Sequence, residues 1–388
     1  MIPAQPLWSV LQETDLRFEE TDQTVGTLLS VSKDKGIVRY SDLFPDRAIR
    51  AENHDRYKFV KSGSIVLNKM SASSGAVGVA KEAGIVSPDY AVLETKSFNN
   101  ERFINYILGS ADFCKNKVGP ILRGIGTGDA TSVRTPRVGM SEYLSLSIPV
   151  PPFETQQRIA DYLDRETAEI DAAVADLDRY VKLLEKRGKV LIEKTVNGGT
   201  NSFSPLWSKI RVQNGFAFDS EKFLPTKELP VAKIGDVLPG DFSEFIDASE
   251  LPSESFLIKD GDLVVGMSGD FNRTIWNKGK AALNQRVCIL KPIGDDDIRY
   301  INYAIGSGLK KIHSTKFSTT LKNLSTEEIL AIRVPHRTVT EQKEIATYLD
   351  KETAEINDLV VESTRLRDLL LKRRSVLITE VVTGRKQV

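Results

Sequence analysis

Hydrophobic positions recur on two rhythms along this 388-residue chain, and the two rhythms divide it. In two long stretches apolar residues return every three or four positions, the period of one helix face. The first runs through Ala160, Leu163, Thr167, Ile170, Val174, Leu177, Val181, Leu184 and Leu191. The second runs through Ala346, Leu349, Thr353, Ile356, Val360, Leu370 and Leu377. Spacings of three and four sustained over several heptads predict a coiled-coil seam. The second seam is less regular, because Ser363, Arg367 and Arg374 stand on its lattice while Leu359, Leu366 and Leu369 offer a shifted face.

Elsewhere the apolar runs are short. GSIVLNKM from Gly63, YAVLET from Tyr90, LPVAKIGDVL from Leu229, GDLVVGM from Gly261 and RVCILKP from Arg286 are bounded by Gly, Pro, Asp and Ser and read as strands. FINYILGS from Phe103 and YINYAIGS from Tyr300 read as short helices with their aromatics inward. These strands do not alternate with long helices, which argues against a doubly wound parallel sheet and for a mixed α/β fold of the α+β kind.

The end signals place the long helices. The first starts after Pro149, Pro151 and Pro152, with the last proline where a helix tolerates one. The second starts on Thr338 and Glu341, which have capping-box spacing. Gly198, Gly199 and Gly384 stop them. Roughly 43 residues at about 1.5 Å each make a rod of roughly 60 Å. A rod of that length needs a partner to bury its apolar stripe.

The partner is suggested by a repeat. IADYLDRETAEID from Ile159 returns as IATYLDKETAEIN from Ile345, identical at ten of thirteen positions, and the offset of 186 holds from Ile148/Val334 to Gly198/Gly384. Pro6-Leu7-Trp8-Ser9 likewise matches Pro205-Leu206-Trp207-Ser208. The chain is therefore two copies of one unit, divided as 1–147, a helix at 148–199, 200–330 and a second helix at 331–388. The copies differ most between Ser110 and Ile148, and between Ser307 and Val334, where both are basic, loop-like and rich in Ser, Thr and Gly. Such loops are where similar modules carry different contacts.

Net charge is zero, from 53 basic and 53 acidic residues, which hides a segregation along the helices. Each is acidic early (Asp161, Asp164, Glu166, Glu169, Asp171; Asp350, Glu352, Glu355, Asp358) and basic late (Lys182, Lys186, Arg187, Lys189; Arg365, Lys372, Arg373, Arg374). Two such helices match charge to charge when antiparallel and clash when parallel. The expected architecture is an intramolecular antiparallel coiled coil with pseudo-twofold repetition.

Catalytic chemistry is missing. Three histidines and two cysteines show no metal-ligand spacing, and no Walker sequence or serine elbow is present. Gly124, Gly126 and Gly128 lack the strand and third glycine of a dinucleotide fingerprint. Val150-Pro151-Pro152-Phe153 resembles the Asn-Pro-Pro-Phe of amino-methyltransferases but lacks the leading Asn. Sparse cysteines, no signal sequence and no long apolar run suit a cytoplasmic protein without membrane contact.

The tandem IxxYLDxETAEI motif, preceded by Ile/Val-Pro and ended by Gly, resembles the conserved regions of type I restriction–modification specificity subunits. The resemblance extends to the unit order and so to essentially all of the chain. It implies two target recognition domains, each reading one half of a bipartite, asymmetric site in double-stranded DNA. The helix pair would set the gap and dock two methyltransferase subunits, with restriction subunits joining the full complex. It implies no active site or cofactor in this chain, since S-adenosylmethionine and the flipped adenine belong to the methyltransferase. The competing expectations are a non-catalytic coiled-coil scaffold joining two non-DNA recognition modules, and an enzyme with an unrecognised site.

On the DNA reading, the basic candidates in the first unit are Lys69, Lys115, Lys117, Arg123, Arg134 and Arg137. In the second they are Asn272, Arg273, Lys278, Lys280, Arg286, Lys310, Lys311, Lys316 and Lys322. Lysines suit phosphates, whereas Arg and Asn could also read base edges. At Asn68-Lys69-Met70 and Ser268-Gly269-Asp270-Phe271 the strand-end position favours a site, with an ordinary turn as the alternative. Tyr162, Leu163, Tyr348 and Leu349 are expected to pack the helix pair or its base.

Overall fold

The structure is a computed structural model and describes residues 3–17, 27–33, 35–45, 56–123, 136–316 and 322–388. The chain forms two compact units: Met1–Asp178 with Thr364–Val388, and Arg179–Ser363.

In the first unit, strands β1 (Leu11–Thr14), β2 (Ile65–Asn68), β3 (Val77–Val79) and β4 (Tyr90–Thr95) form an antiparallel sheet in the order β1-β4-β2-β3. Both faces of the sheet are covered. Ile65, Leu67 and Leu93 pack under helix α1 (Glu101–Gly109) with Phe103, Ile104 and Ile107, whereas Val66 and Val92 pack with Leu29, Val31, Val60 and Val86 from two small hairpin-like pairs. Two-sided burial explains why these strands read as continuous apolar runs without alternation. Helix α2 (Met140–Ser145) precedes strand Ser147–Pro149, which pairs with Ala4–Pro6 and leads into the long helix α3 (Phe153–Asn197).

The second unit repeats this plan. Strands β5 (Ile210–Asn214), β6 (Leu263–Gly266), β7 (Arg273–Ile275) and β8 (Val287–Pro292) are ordered β5-β8-β6-β7, again antiparallel. Leu263, Val265, Cys288 and Leu290 face helix α4 (Ile298–Ala304), while Val264 and Ile289 pack with Trp276 and Leu283. Helices α5 (Gly306–Thr315) and α6 (Thr326–Leu330) follow. Strand Arg333–Pro335 then pairs with Phe203–Pro205 before the second long helix, α7 (Val339–Val382). One expected strand is shorter than its apolar run. Leu229–Ala232 is extended, but the Asp236 carboxylate accepts from the Lys233 N–H at 2.8 Å and turns the rest into a 3-10 helix.

The helix ends form as their residues dictate. The Glu341 carboxylate accepts from the Thr338 N–H at 2.8 Å while the Thr338 hydroxyl accepts from the Glu341 N–H. Gly199 and Gly384 adopt φ of 75° and 74°, a left-handed turn that a side chain would strain.

The long helices pack antiparallel. In the first unit Leu163 and Ile170 of α3 share a core with Leu377, Ile378 and Val381 of α7. Asp171 pairs with Arg374 at 2.8 Å and Asp178 with Arg367 at 3.3 Å, the partners stepping seven residues in opposite directions. In the second unit Gly188 lies against Ile356. Leu163, Ile170, Leu184, Leu349, Ile356 and Leu377 are buried, and Val174, Leu177, Val181, Val360 and Leu370 half-buried. The shifted face expected for the second seam does not form. Leu359, Leu366 and Leu369 are 39%, 48% and 54% exposed, whereas Ser363 is buried on the original lattice. Arg367 and Arg374 stand on that lattice half-buried, their heads meeting carboxylates on α3.

Candidate nucleic-acid interface and its mounting

The two sheets end at corresponding tips. At the first, the Lys69 carbonyl after β2 accepts from the Val138 N–H at 3.1 Å. At the second, the Met267 carbonyl after β6 accepts from the Leu324 N–H at 2.8 Å. In each unit the chain returning from the variable stretch is thus pinned to the end of the same strand. The second tip has an added side-chain network. The Ser268 hydroxyl donates to Asn323 Oδ1 at 2.8 Å and accepts from Arg286 Nη1 at 3.2 Å. Phe271 follows at a φ of 54°, a conformation costly for a bulky residue. Its ring is buried, nearly perpendicular to the His313 ring and with the Lys316 ammonium above it.

The basic candidates sort into three groups. Lys115, Lys117, Arg123, Arg137, Lys280, Arg286, Lys310 and Lys311 are exposed. Lys69, Lys316 and Lys322 are half-buried around the tips. Lys316 reaches Glu328 at 2.7 Å, and Lys322 donates to the His313 carbonyl at 2.8 Å. Arg123 and Arg137 exchange backbone hydrogen bonds at 3.0 Å, and the Arg123 side chain pairs with Glu142. The side chains of Arg273 and Lys278 are engaged within the fold, and Asn272 is half-buried at the turn before them. The Asn272 carbonyl closes the turn by accepting from Gly266 N–H, and Arg273 Nε donates to the Asn302 carbonyl at 2.7 Å. Burial holds the Arg273 guanidinium pKa below its ordinary value. Lys278 donates to the carbonyls of Asp236, Leu238 and Gly240 and sits over the rings of Phe242 and Trp276. Arg134 and the Gly124–Gly128 stretch lie outside the described residues. The structure therefore gathers Arg286, Lys316 and Lys322 at one tip and directs Arg273 and Lys278 to internal carbonyls.

Sequence reasoning missed how each globular body is fastened to its helix. Tyr106 of α1 donates to Asp164 of α3 at 2.7 Å and lies 3.1 Å from the Thr167 hydroxyl. Tyr303 of α4 donates to Asp350 of α7 at 2.8 Å and lies 3.1 Å from the Thr353 hydroxyl. Arg102 also grips Asp164, and Arg299 grips Asp350 at 2.9 Å. Each arginine takes a second carboxylate, but from different places: Arg102 from Asp161 at 2.7 Å, Arg299 from its own helix cap Asp297 at 2.9 Å. Thr347 stands where the first copy has Asp161, so the cap supplies the charge instead. Gln156 and Gln342 complete the pattern by accepting from the N–H groups of Asn100 and Asp297 at 2.9 and 2.8 Å. Burial pushes the Tyr303 phenol up to about 12, and burial likewise raises that of Tyr106, so both remain donors at neutral pH. The signal was in the sequence: Asp164 and Thr167 repeat identically although polar, opposite a repeated tyrosine. Thr167 and Thr353 do stand on the seam lattice, but their hydroxyls serve this junction.

Leu163 and Leu349 are fully buried, as expected of residues packing the helix base. Tyr348 is 46% exposed, and the Tyr162 ring carries the cations of Arg165 and Lys386. Burial pushes the thiols of Cys114 and Cys288 up to about 11 and 12, which makes them inert packing groups. Among the described residues no cluster of His, Cys, Asp and Glu could hold a metal, and no helix is long and apolar enough to cross a membrane.

Residues 48–174 and 208–361 match the family model described as the type I restriction modification DNA specificity domain. The chain is 34% identical over 205 residues to the type I restriction enzyme EcoBI specificity subunit of Escherichia coli. That match covers 51% of this chain and spans 43% of the length of that relative. A chain from a study of complex assembly and conformational transition in a type I R-M system shares the fold, with a TM-score of 0.75 over 99% of both chains at 14% identity. The crystal structure of an HsdS subunit from Thermoanaerobacter tengcongensis aligns with a TM-score of 0.53 at 14% identity, over 98% of this chain and 96% of that one.

Proposed function

This chain belongs to the type I restriction–modification DNA specificity family, and from that premise we propose that its two units each read one half of a bipartite, asymmetric site in double-stranded DNA. The recognition domains are 1–147 and 200–330. The observation that carries the reading is the pair of corresponding tips: one backbone anchor, made twice, presenting different side chains. One mounting with two chemistries suits a protein that recognises two unlike half-sites. Exposed Lys115, Lys117, Lys310 and Lys311 supply phosphate contacts, and Arg286 with Asn323 at the second tip is suited to base edges.

The helices at 148–199 and 331–388 set the gap and receive two methyltransferase subunits. Support for docking is the apolar surface they leave uncovered: Leu183 and Val361 in one unit, Leu366, Leu369, Leu371 and Val376 in the other, all at least 45% exposed. Trp8 and Trp207, 58% and 61% exposed at repeated positions, add a matched aromatic to each unit. In this scheme the chain is not itself an enzyme. The methyltransferase binds S-adenosylmethionine and modifies an adenine, and restriction subunits complete the nuclease.

Sequencing of modified bases in cells that co-express the chain with its cognate methyltransferase tests the proposal. The expected result is methylated adenine in one split motif. If no motif is modified, or the motif is continuous, the proposal fails, and a scaffold joining non-DNA modules becomes the better account.

A further inference from the structure

We infer that the repeated tyrosine–aspartate–threonine junctions are positioning devices for recognition: each holds its body at one place on its helix, and the pair makes the enzyme discriminate between gap lengths. This rests on the proposed reading of a bipartite site.

Apolar packing alone does not fix where a body sits on its helix. Phe103 and Ile104 of α1 share a core with Ala160 and Leu163 of α3, and Tyr300 and Ile301 of α4 share one with Ala346 and Leu349 of α7. Burial of this kind is non-directional, and a helix surface repeats itself with each turn of about 5.4 Å. A body held only by such contacts could settle displaced along or around its helix at modest cost. One base pair occupies about 3.4 Å of duplex, so a displacement of less than a helical turn would change which base pairs a tip meets.

The junction removes that freedom. A carboxylate that accepts from both a guanidinium and a phenol is satisfied in one geometry, and the threonine hydroxyl 3.1 Å from the same phenol restricts it further. That threonine also donates to the carbonyl four residues back, Leu163 or Leu349, which ties the contact to the helix backbone at 2.7 and 2.6 Å. At the helix start Gln156 or Gln342 captures an N–H from the segment entering α1 or α4. Two directional contacts roughly two helical turns apart on one helix define both position and rotation. The copies keep this geometry although the arginine's second carboxylate has moved from Asp161 to Asp297. Mere attachment would not need the same four roles filled twice.

The test uses the complex with its methyltransferase and a series of duplexes in which the two half-sites are unchanged and the gap is varied one base pair at a time. Tyr106→Phe and Tyr303→Phe each delete a single hydroxyl, and Asp164→Asn removes the charge. Methylation rates give the preference for the natural gap over its neighbours, while the modified motif reports half-site sequence. For the phenylalanine variants we expect that preference to fall by about tenfold, as loss of a hydrogen bond to a charged acceptor implies, with the half-sites unchanged. Preference within twofold of the unaltered protein in both phenylalanine variants would overturn the inference, whatever their thermal stability. A loss of methylation in equal proportion on every gap would overturn it too, since that is what a merely structural contact produces. Should Asp164→Asn fail to fold, the two phenylalanine variants still decide. If the unaltered complex shows no bipartite preference, it is the proposed function that fails.

Discussion

Arg374 stands on a seam position where a coiled coil would ordinarily place an apolar side chain, and across the helix pair it meets Asp171, which flanks the seam beside Ile170, at 2.8 Å. The pair recurs seven residues along each helix as Arg367 with Asp178. A polar residue at a seam position specifies register and orientation at some cost in stability, and here the two seam arginines find their flanking carboxylates in the antiparallel arrangement.

Reversing one charge of that pair should therefore be repaired by reversing the other. Asp171→Arg sets two guanidinium groups together and is expected to cost about 1 kcal/mol, because both partners are partly solvated. Adding Arg374→Asp should recover most of that loss. Denaturation midpoints of the two single variants and the double variant give the coupling; a double variant as unstable as the sum of the singles would show that the pair does not couple.

Substitution should also separate the basic residues by role. Lys278→Ala leaves three backbone carbonyls without their donor and is expected to cost about 1–3 kcal/mol of stability, with the salt dependence of DNA binding unchanged. Lys310→Ala with Lys311→Ala should leave stability unaltered and lower the slope of log affinity against log salt by about two. A changed slope for Lys278→Ala, or none for the lysine pair, would contradict these roles.

Acid stability should depend on Asp297. Burial works against its carboxylate, but hydrogen bonds from Arg299 and from the backbone N–H groups of Tyr300 and Arg299 hold its pKa below the ordinary value. A depressed folded pKa contributes stability that is present above the unfolded value and is lost as pH falls through the folded one. The window therefore lies below about pH 4. Asp297→Asn should flatten the loss of melting temperature across that window while keeping the helix cap, since Asn100 caps α1 in the first unit. Some slope will remain from Glu341, which the Thr338 N–H also holds low. An unchanged profile would mean that Asp297 does not carry this dependence.

Lengthening both long helices by one turn tests the spacer directly. The added rise of about 5.4 Å should widen the gap by about one to two base pairs and leave the half-sites alone. A methylated motif with an altered half-site would refute the division between spacer and recognition domain.

Much of the architecture was legible because it is encoded locally. Helix periodicity, the Thr338–Glu341 capping box, the glycine stops and the strands at Tyr90–Thr95 and Val287–Pro292 each depend on residues only a few positions apart. Charge polarity along two copies of one helix was enough to specify an antiparallel pair. The candidate site was legible only in part. A lysine reads the same in sequence whether it faces solvent, as Lys310 does, or satisfies three carbonyls, as Lys278 does.

The sequence by itself determined the repeat, the two long helices and their relative direction, because an internal duplication and an i, i+3, i+4 pattern survive without knowledge of contacts. Only the tertiary structure decided which polar residues act, because that depends on partners far apart in the chain. Asp164 meets Tyr106 across 58 residues, and Asp350 meets Tyr303 across 47. Arg374 keeps its place in the seam because Asp171 lies opposite it, a fact that no local pattern on either helix contains.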